Sequence, residues 1–131
     1  MKKNHEKIIY VSIPHAGRYQ LDTLLEEVKM LRESSWTYKV WVPTPALIDK
    51  SDGSSKQFVG QKFDAKYFDF QETGWTHDHC EFCSQTISDI EGYGDTDGYE
   101  SDLDWLCKDC YKIFIEPKDI DSLIAGLIIS E

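Results

Sequence analysis

The hydrophobic pattern of the first forty residues changes period twice. Ile8-Ile9-Tyr10-Val11-Ser12-Ile13 is an almost unbroken apolar, β-branched run ended by Pro14, the pattern of a buried central strand. His15-Ala16-Gly17-Arg18 supplies a turn. Leu21, Leu24, Leu25, Val28 and Leu31 then recur at helical spacing. They predict a helix from about Asp22 to Glu33, with Asp22 or Thr23 as cap and Thr23 with Glu26 as a capping box. Trp36, Tyr38, Val40 and Val42 alternate with Thr37, Lys39 and Trp41, which predicts a half-buried strand stopped by Pro43 and Pro45. Strand, helix, strand is a βαβ or split-βαβ beginning.

Polar residues take over from Asp49 to Lys56, a stretch that reads as a mobile loop. Phe63, Ala65 and Tyr67 alternate with Asp64 and Lys66, and Phe68 and Phe70 continue the run after a bulge, giving a third strand. Further on, Gly94-Asp95-Thr96-Asp97-Gly98 carries a strong turn signal between Ile87, Ile90 and Tyr93 on one side and Tyr99, Leu103 and Trp105 on the other. Leu106, Cys110 and Phe114 fall at i, i+4 and i+8, so a helix begins near Cys107. Past Pro117, the residues Ile120, Leu123, Ile124, Leu127 and Ile128 predict a closing amphipathic helix.

The predicted fold class is therefore α+β: a small βαβ-type body over residues 1–74, a finger over 75–116, and a C-terminal helix over 117–131 that packs on the body. Met1 to Lys7 is polar and basic, and the run after it is too short for the apolar core of a signal peptide. Leu123 to Ile129 falls well short of the ~20 residues of a membrane span. The expectation is a soluble, cytoplasmic protein in which thiols stay reduced.

The only four cysteines, Cys80, Cys83, Cys107 and Cys110, form two Cys-x-x-Cys pairs. That is the arithmetic of a tetrahedral four-thiolate Zn2+ site, closed to substrate. Two disulfides would need an oxidising compartment, and a redox pair explains only one of the two motifs. In a rubredoxin-like iron centre both pairs sit in glycine-containing knuckles, whereas Ser84 and Tyr111 follow the pairs here. A second pair on the first turn of a helix, where exposed N–H groups favour thiolates, points instead to knuckle, hairpin, then helix: a treble-clef finger. His77 and His79 precede the first cysteine, but four thiolates already satisfy zinc, so both are expected outside its coordination sphere. Asp95-Thr96-Asp97-Gly98 lacks the further spaced ligands of an EF-hand calcium loop.

Charge narrows the function. The chain has 14 basic and 24 acidic residues, net −10. Eleven of the acidic residues and two lysines lie between Trp75 and Glu116, so the finger holds −9 of that net charge. Nucleic-acid binding depends on neutralising phosphates with Lys and Arg, and so acidic a finger repels them. No nucleophile elbow, no His-Glu-x-x-His and no glycine-rich phosphate loop is present, and a closed zinc has no position at which to activate water. An HNH-type nuclease would require histidines on the hairpin and helix, and Leu103 to Phe114 has none. The expectation is a non-enzymatic protein.

His77-Asp78-His79-Cys80-Glu81-Phe82-Cys83 with Trp105-Leu106-Cys107-Lys108-Asp109-Cys110-Tyr111 resembles a motif of small bacterial proteins, roughly His-x-His-Cys-x-Phe-Cys, an acidic hairpin, and Trp-Ile/Leu-Cys-x-x-Cys-Phe/Tyr. The resemblance covers only the finger. It implies a structural zinc in a bacterial cytosol, and some such proteins look like immunity proteins that neutralise a toxin. The expected partner is then a basic, toxin-like protein docked on the acidic finger with help from exposed Tyr93 and Tyr99. The competing reading places the working part in the α/β body, as a nucleic-acid or small-ligand site near Lys56, Lys62 and Lys66, with the finger as a staple.

Overall fold

The computed structural model describes residues 8–130. The fold is mixed α+β, with eleven short strands and three helices among those residues. The Met1–Lys7 segment, on which the leader expectation falls, lies outside them. No helix of the described residues is long and apolar enough to cross a membrane.

β1 (Tyr10–Ile13) is central in its sheet, as its apolar run predicts, but its neighbours are antiparallel. His15, at φ 67°, and Gly17, at φ 95°, turn the chain straight back as β2 (Gly17–Gln20). The far edge is filled by the chain terminus, so the expected βαβ unit has no room beside β1. α1 (Leu21–Glu33) buries Leu24 and Val28 on the predicted face. It starts one residue early, because the Leu21 N–H donates to Ile9 O at 2.8 Å and anchors the first turn to the strand. Gln20 stands at the cap without a side-chain bond, and the Asp22 carboxylate accepts from Thr23 inside the helix, so neither expected cap forms.

β3 (Thr37–Val40) leaves the body altogether and pairs with a strand of the finger. Most of its expected face is exposed: Tyr38 and Val40 point to solvent, as does Val42 beyond it, while Trp36 packs partly buried against the core and Trp41 turns into it. β4 (Thr44–Asp49), β5 (Ser55–Gln57) and β6 (Phe68–Trp75) form a separate antiparallel sheet in the order β5-β4-β6. Pro45 does not stop the chain. It sits where the β4–β6 register shifts, a bulge that tolerates a residue with no N–H to give. The polar stretch expected to be a loop is a tight β4–β5 hairpin, in which Asp49 accepts from the Ser51 N–H and hydroxyl. The alternating run from Phe63 to Tyr67 is not strand either, since Asp64 organises a turn there by accepting from Lys66, Tyr67 and Phe68 N–H groups.

The finger begins with β7 (His77–His79) and β8 (Thr86–Ser88), then β9 (Asp97–Ser101), β10 (Asp104–Leu106) and α2 (Lys108–Phe114). The hairpin turn is not at Asp97-Gly98, which open β9, but at Asp102 and Leu103, with φ of 48° and 76°. Two adjacent left-handed residues make the kind of two-residue turn that matches strand twist. β3 joins this hairpin with Tyr38 opposite Tyr99, giving the order β10-β9-β3 across the boundary expected at Trp75.

The expected C-terminal helix is cut short. α3 (Ile120–Ala125) is capped by the Asp119 carboxylate on the Ser122 N–H and ends at Gly126. The β-branched Ile128 and Ile129 then form β11 (Ile128–Ser130), which pairs with β1 and closes its sheet. Body and finger share a core in which Val11, Leu24, Val28 and Trp41 pack with Cys80, Leu106, Cys107, Cys110 and Phe114 and with Leu123 of α3, while Ala46 and Leu47 of β4 are buried outside that cluster.

Candidate metal centre

The first cysteine pair sits in the turn between β7 and β8. The Cys80 N–H donates to Gln85 O at 2.8 Å and the Ser84 N–H donates to Cys80 O at 2.9 Å. Ser84 adopts φ 66°, the left-handed conformation that glycine commonly supplies. A knuckle therefore forms without the glycine its sequence lacks. The Glu81 N–H bonds Trp105 O at 2.7 Å, which fastens the knuckle to β10 and brings it against the second pair.

The second pair stands at the start of α2, as the helical spacing predicts. Cys107 is the N-cap and its Sγ accepts from the Cys110 N–H at 3.4 Å. A thiolate in that position gains from the exposed N–H groups and the positive end of the helix. Leu106, Cys110 and Phe114 share the buried face. Phe82, between the first two cysteines, packs on Phe114 at 4.6 Å and on Tyr19 at 5.1 Å between ring centroids, so the knuckle is wedged between α2 and β2.

All four sulfurs lie within 4.8 Å of one another, and Cys83 Sγ is 3.6 Å from Cys107 Sγ. Four thiolates around one ion at metal–sulfur distances of about 2.3 Å stand about 3.8 Å apart, so the donor set fits a tetrahedral metal. Cys80, Cys107 and Cys110 are buried and Cys83 is partly exposed. Hydrogen bonds from the Cys107 and Cys110 thiols hold Cys80 far below the ordinary thiol range. Cys110 is raised by its bonds to Cys107 and Cys80 and by burial, and burial raises Cys83. A cation is what lets all four ionise together. The four predicted residues are thus one group that can hold a metal ion.

His77 and His79 do not join it. Both project from the exposed face of β7, and His79 Nδ1 lies 3.1 Å from Ser84 O. Between them, Asp78 points inward, where its Oδ2 accepts from Trp41 Nε1 at 2.9 Å and Trp75 Nε1 at 3.2 Å. Burial pushes the Asp78 carboxyl up, and the two indole bonds oppose that rise. Sequence reading counted Asp78 among the surface charges, and only the alternation of β7 sets it on the face opposite His77 and His79. It also missed Arg32, whose guanidinium donates to Phe114 O at 2.8 Å and to Ile115 and Lys118 carbonyls at 3.4 Å, bonding the end of α1 to the end of α2.

Part of the finger's charge is already engaged, by Lys108 of the finger and by residues of the body. Asp97 meets Lys108 at 2.8 Å and accepts from Tyr38, Glu100 pairs with Lys39, and Asp109 pairs with His15 at 3.0 Å. Among the described residues no ion pair takes up Glu81, Asp89, Glu91, Asp102, Asp104 or Glu116. Tyr93 is exposed as expected, but Tyr99 is half-buried and stacks on Tyr111 at 3.5 Å and 5°. Lys56, Lys62 and Lys66 are exposed, with Lys56 over the Phe68 ring and Lys66 over the Tyr67 ring. No protein-family model, curated protein or solved structure matches this chain.

Proposed function

We propose that the four cysteines hold zinc in a treble-clef-like finger, and that the chain is a non-enzymatic, cytoplasmic protein-binding module for a basic partner. Bound zinc would supply cross-linking and charge neutralisation, since four thiolates leave it no position for chemistry. Cys80 and Cys83 present sulfur from a knuckle, and Cys107 and Cys110 from a helical turn. The order knuckle, hairpin, helix supports the treble-clef reading over a ribbon of two knuckles.

The observation that carries the partner's chemistry is the set of exposed carboxylates at Asp89, Glu91, Asp102, Asp104 and Glu116, none of them in an ion pair among the described residues, together with exposed Tyr93. Unpaired surface charge of one sign speeds encounter with the opposite sign and rejects like-charged partners. A basic, nuclease-like toxin has the complementary surface, and an immunity protein for such a toxin is the role this charge suits best.

A second reading rests on the β5-β4-β6 sheet. There Phe58, Phe63 and Phe70 cluster with centroids 5.2–6.4 Å apart, and Phe63 and Phe70 are exposed among lysines. Affinity capture with the wild-type chain and with D89N/E91Q/D102N/D104N, each with and without nuclease, separates the two. One basic protein retained by the wild type at low salt, resistant to nuclease and lost with the neutralised variant, is the expected result. Nucleic-acid material retained equally by both chains would overturn the acidic-finger reading in favour of the lysine-bearing sheet.

A further inference from the structure

Strand alternation in β7 puts His77 and His79 on one face and sends Asp78 to the other. The two imidazoles stand 4.9 Å apart between centroids and nearly perpendicular, at 83°. His79 Nδ1 is 3.1 Å from the Ser84 carbonyl oxygen, which can only accept. In the neutral imidazole that nitrogen carries the proton, which leaves the lone pair on Nε2. His77 Nδ1 lies 3.1 Å from Thr76 Oγ1, a hydroxyl able to accept in the same way. An imidazole with one nitrogen held by a carbonyl or hydroxyl and the other free is oriented as metal-binding histidines are. Both rings border a cleft of about 190 Å³ shared with Thr76, Thr86, Ser88, Ile90 and Tyr93. Among the described residues neither ring is engaged by a carboxylate, whereas His15 is bonded to Asp109.

We infer that His77 and His79 form a second metal site, separate from the four cysteines, which takes a borderline divalent transition-metal ion such as nickel or zinc. Imidazole nitrogen suits these ions, and two ligands two residues apart on one strand stand on the same face. The two sites differ in kind. The thiolates enclose their ion, while the histidine pair leaves most of the coordination sphere to water or to a donor from another molecule.

Nickel(II) titrated into the full chain, its existing metal content measured first, tests this by calorimetry and by NMR. The expected result is one nickel bound per chain without loss of the metal already present, and paramagnetic broadening centred on His77, His79 and Tyr93. H77A and H79A should each abolish that binding event while keeping the original metal content and Tm, because both side chains are exposed. No nickel uptake, uptake unchanged in the double variant, or broadening centred on His15 and Asp109 or on the cysteines would overturn the assignment. The wild-type broadening map decides the matter by itself should either variant fail to fold.

Discussion

The indole of Trp41 donates to Asp78 Oδ2 at 2.9 Å, joining the residue that follows the edge strand β3 to the strand that enters the first cysteine pair. Trp75 donates to the same oxygen at 3.2 Å. One carboxylate thus satisfies two indole N–H groups at the junction of body and finger. Removing the acceptor strands both donors in a largely apolar setting. D78A is expected to lower unfolding stability by about 1–3 kcal/mol, and D78N, which retains one acceptor oxygen, by less. Urea denaturation followed by tryptophan fluorescence reads both. Equal stability of D78A and wild type would show the bonds to be idle.

Arg32 links the two helices from the other side. R32A removes charge-assisted bonds to the Phe114, Ile115 and Lys118 carbonyls and exposes the C-terminus of α2. A loss of about 1–3 kcal/mol is expected. R32K should not restore it, because an ammonium lacks the planar fork that spans three carbonyls. Thermal unfolding of the three chains makes the comparison.

Two glycines predict opposite outcomes. A Cβ on Gly98 would stand 2.7 Å from Leu106 O, a backbone atom that cannot swing aside, and φ plays no part. G98A should cost about 1–3 kcal/mol through overpacking of the β9–β10 pair. A Cβ on Gly126 would meet nothing closer than 3.6 Å at φ −88°, so G126A should leave Tm unchanged or raise it.

The α3 cap makes stability depend on pH. The Ser122 backbone N–H holds the Asp119 carboxyl below its ordinary value of 3.8. A depressed carboxylate contributes stability that is present above its unfolded value and lost as pH falls through its folded one. Between neutral pH and about 4 the difference in Tm between wild type and D119A should therefore be constant, and it should shrink in more acidic solution. Asn also caps, so D119N should behave like wild type at neutral pH without that acid loss.

Much of the site was legible because thiolate chemistry fixes its spacing: two Cys-x-x-Cys pairs, with the second on a helical face defined by Leu106, Cys110 and Phe114. The topology was less legible, because partners in a sheet are chosen by what else competes for the edge. β1 offers two edges, and the residues after Pro14 and at the chain's end claim both, so β3 goes to the finger and its apolar alternation faces solvent. Gly98 reads as a turn residue, yet it serves close packing, a distinction that only the neighbouring Leu106 carbonyl reveals. Likewise Asp78 lies within a charge run but points inward, which a count of charges cannot register.

The central claim, that a four-thiolate zinc locks the knuckle to α2, is tested most directly by zinc X-ray absorption on the purified H77A/H79A chain, in which the histidine pair cannot contribute a second zinc. The expected result is one zinc per chain with four sulfur neighbours at about 2.3 Å, and loss of both zinc and cooperative unfolding of the finger in C107S. A first shell containing nitrogen or oxygen, a substoichiometric metal, or a C107S chain that keeps its zinc and its Tm would contradict it.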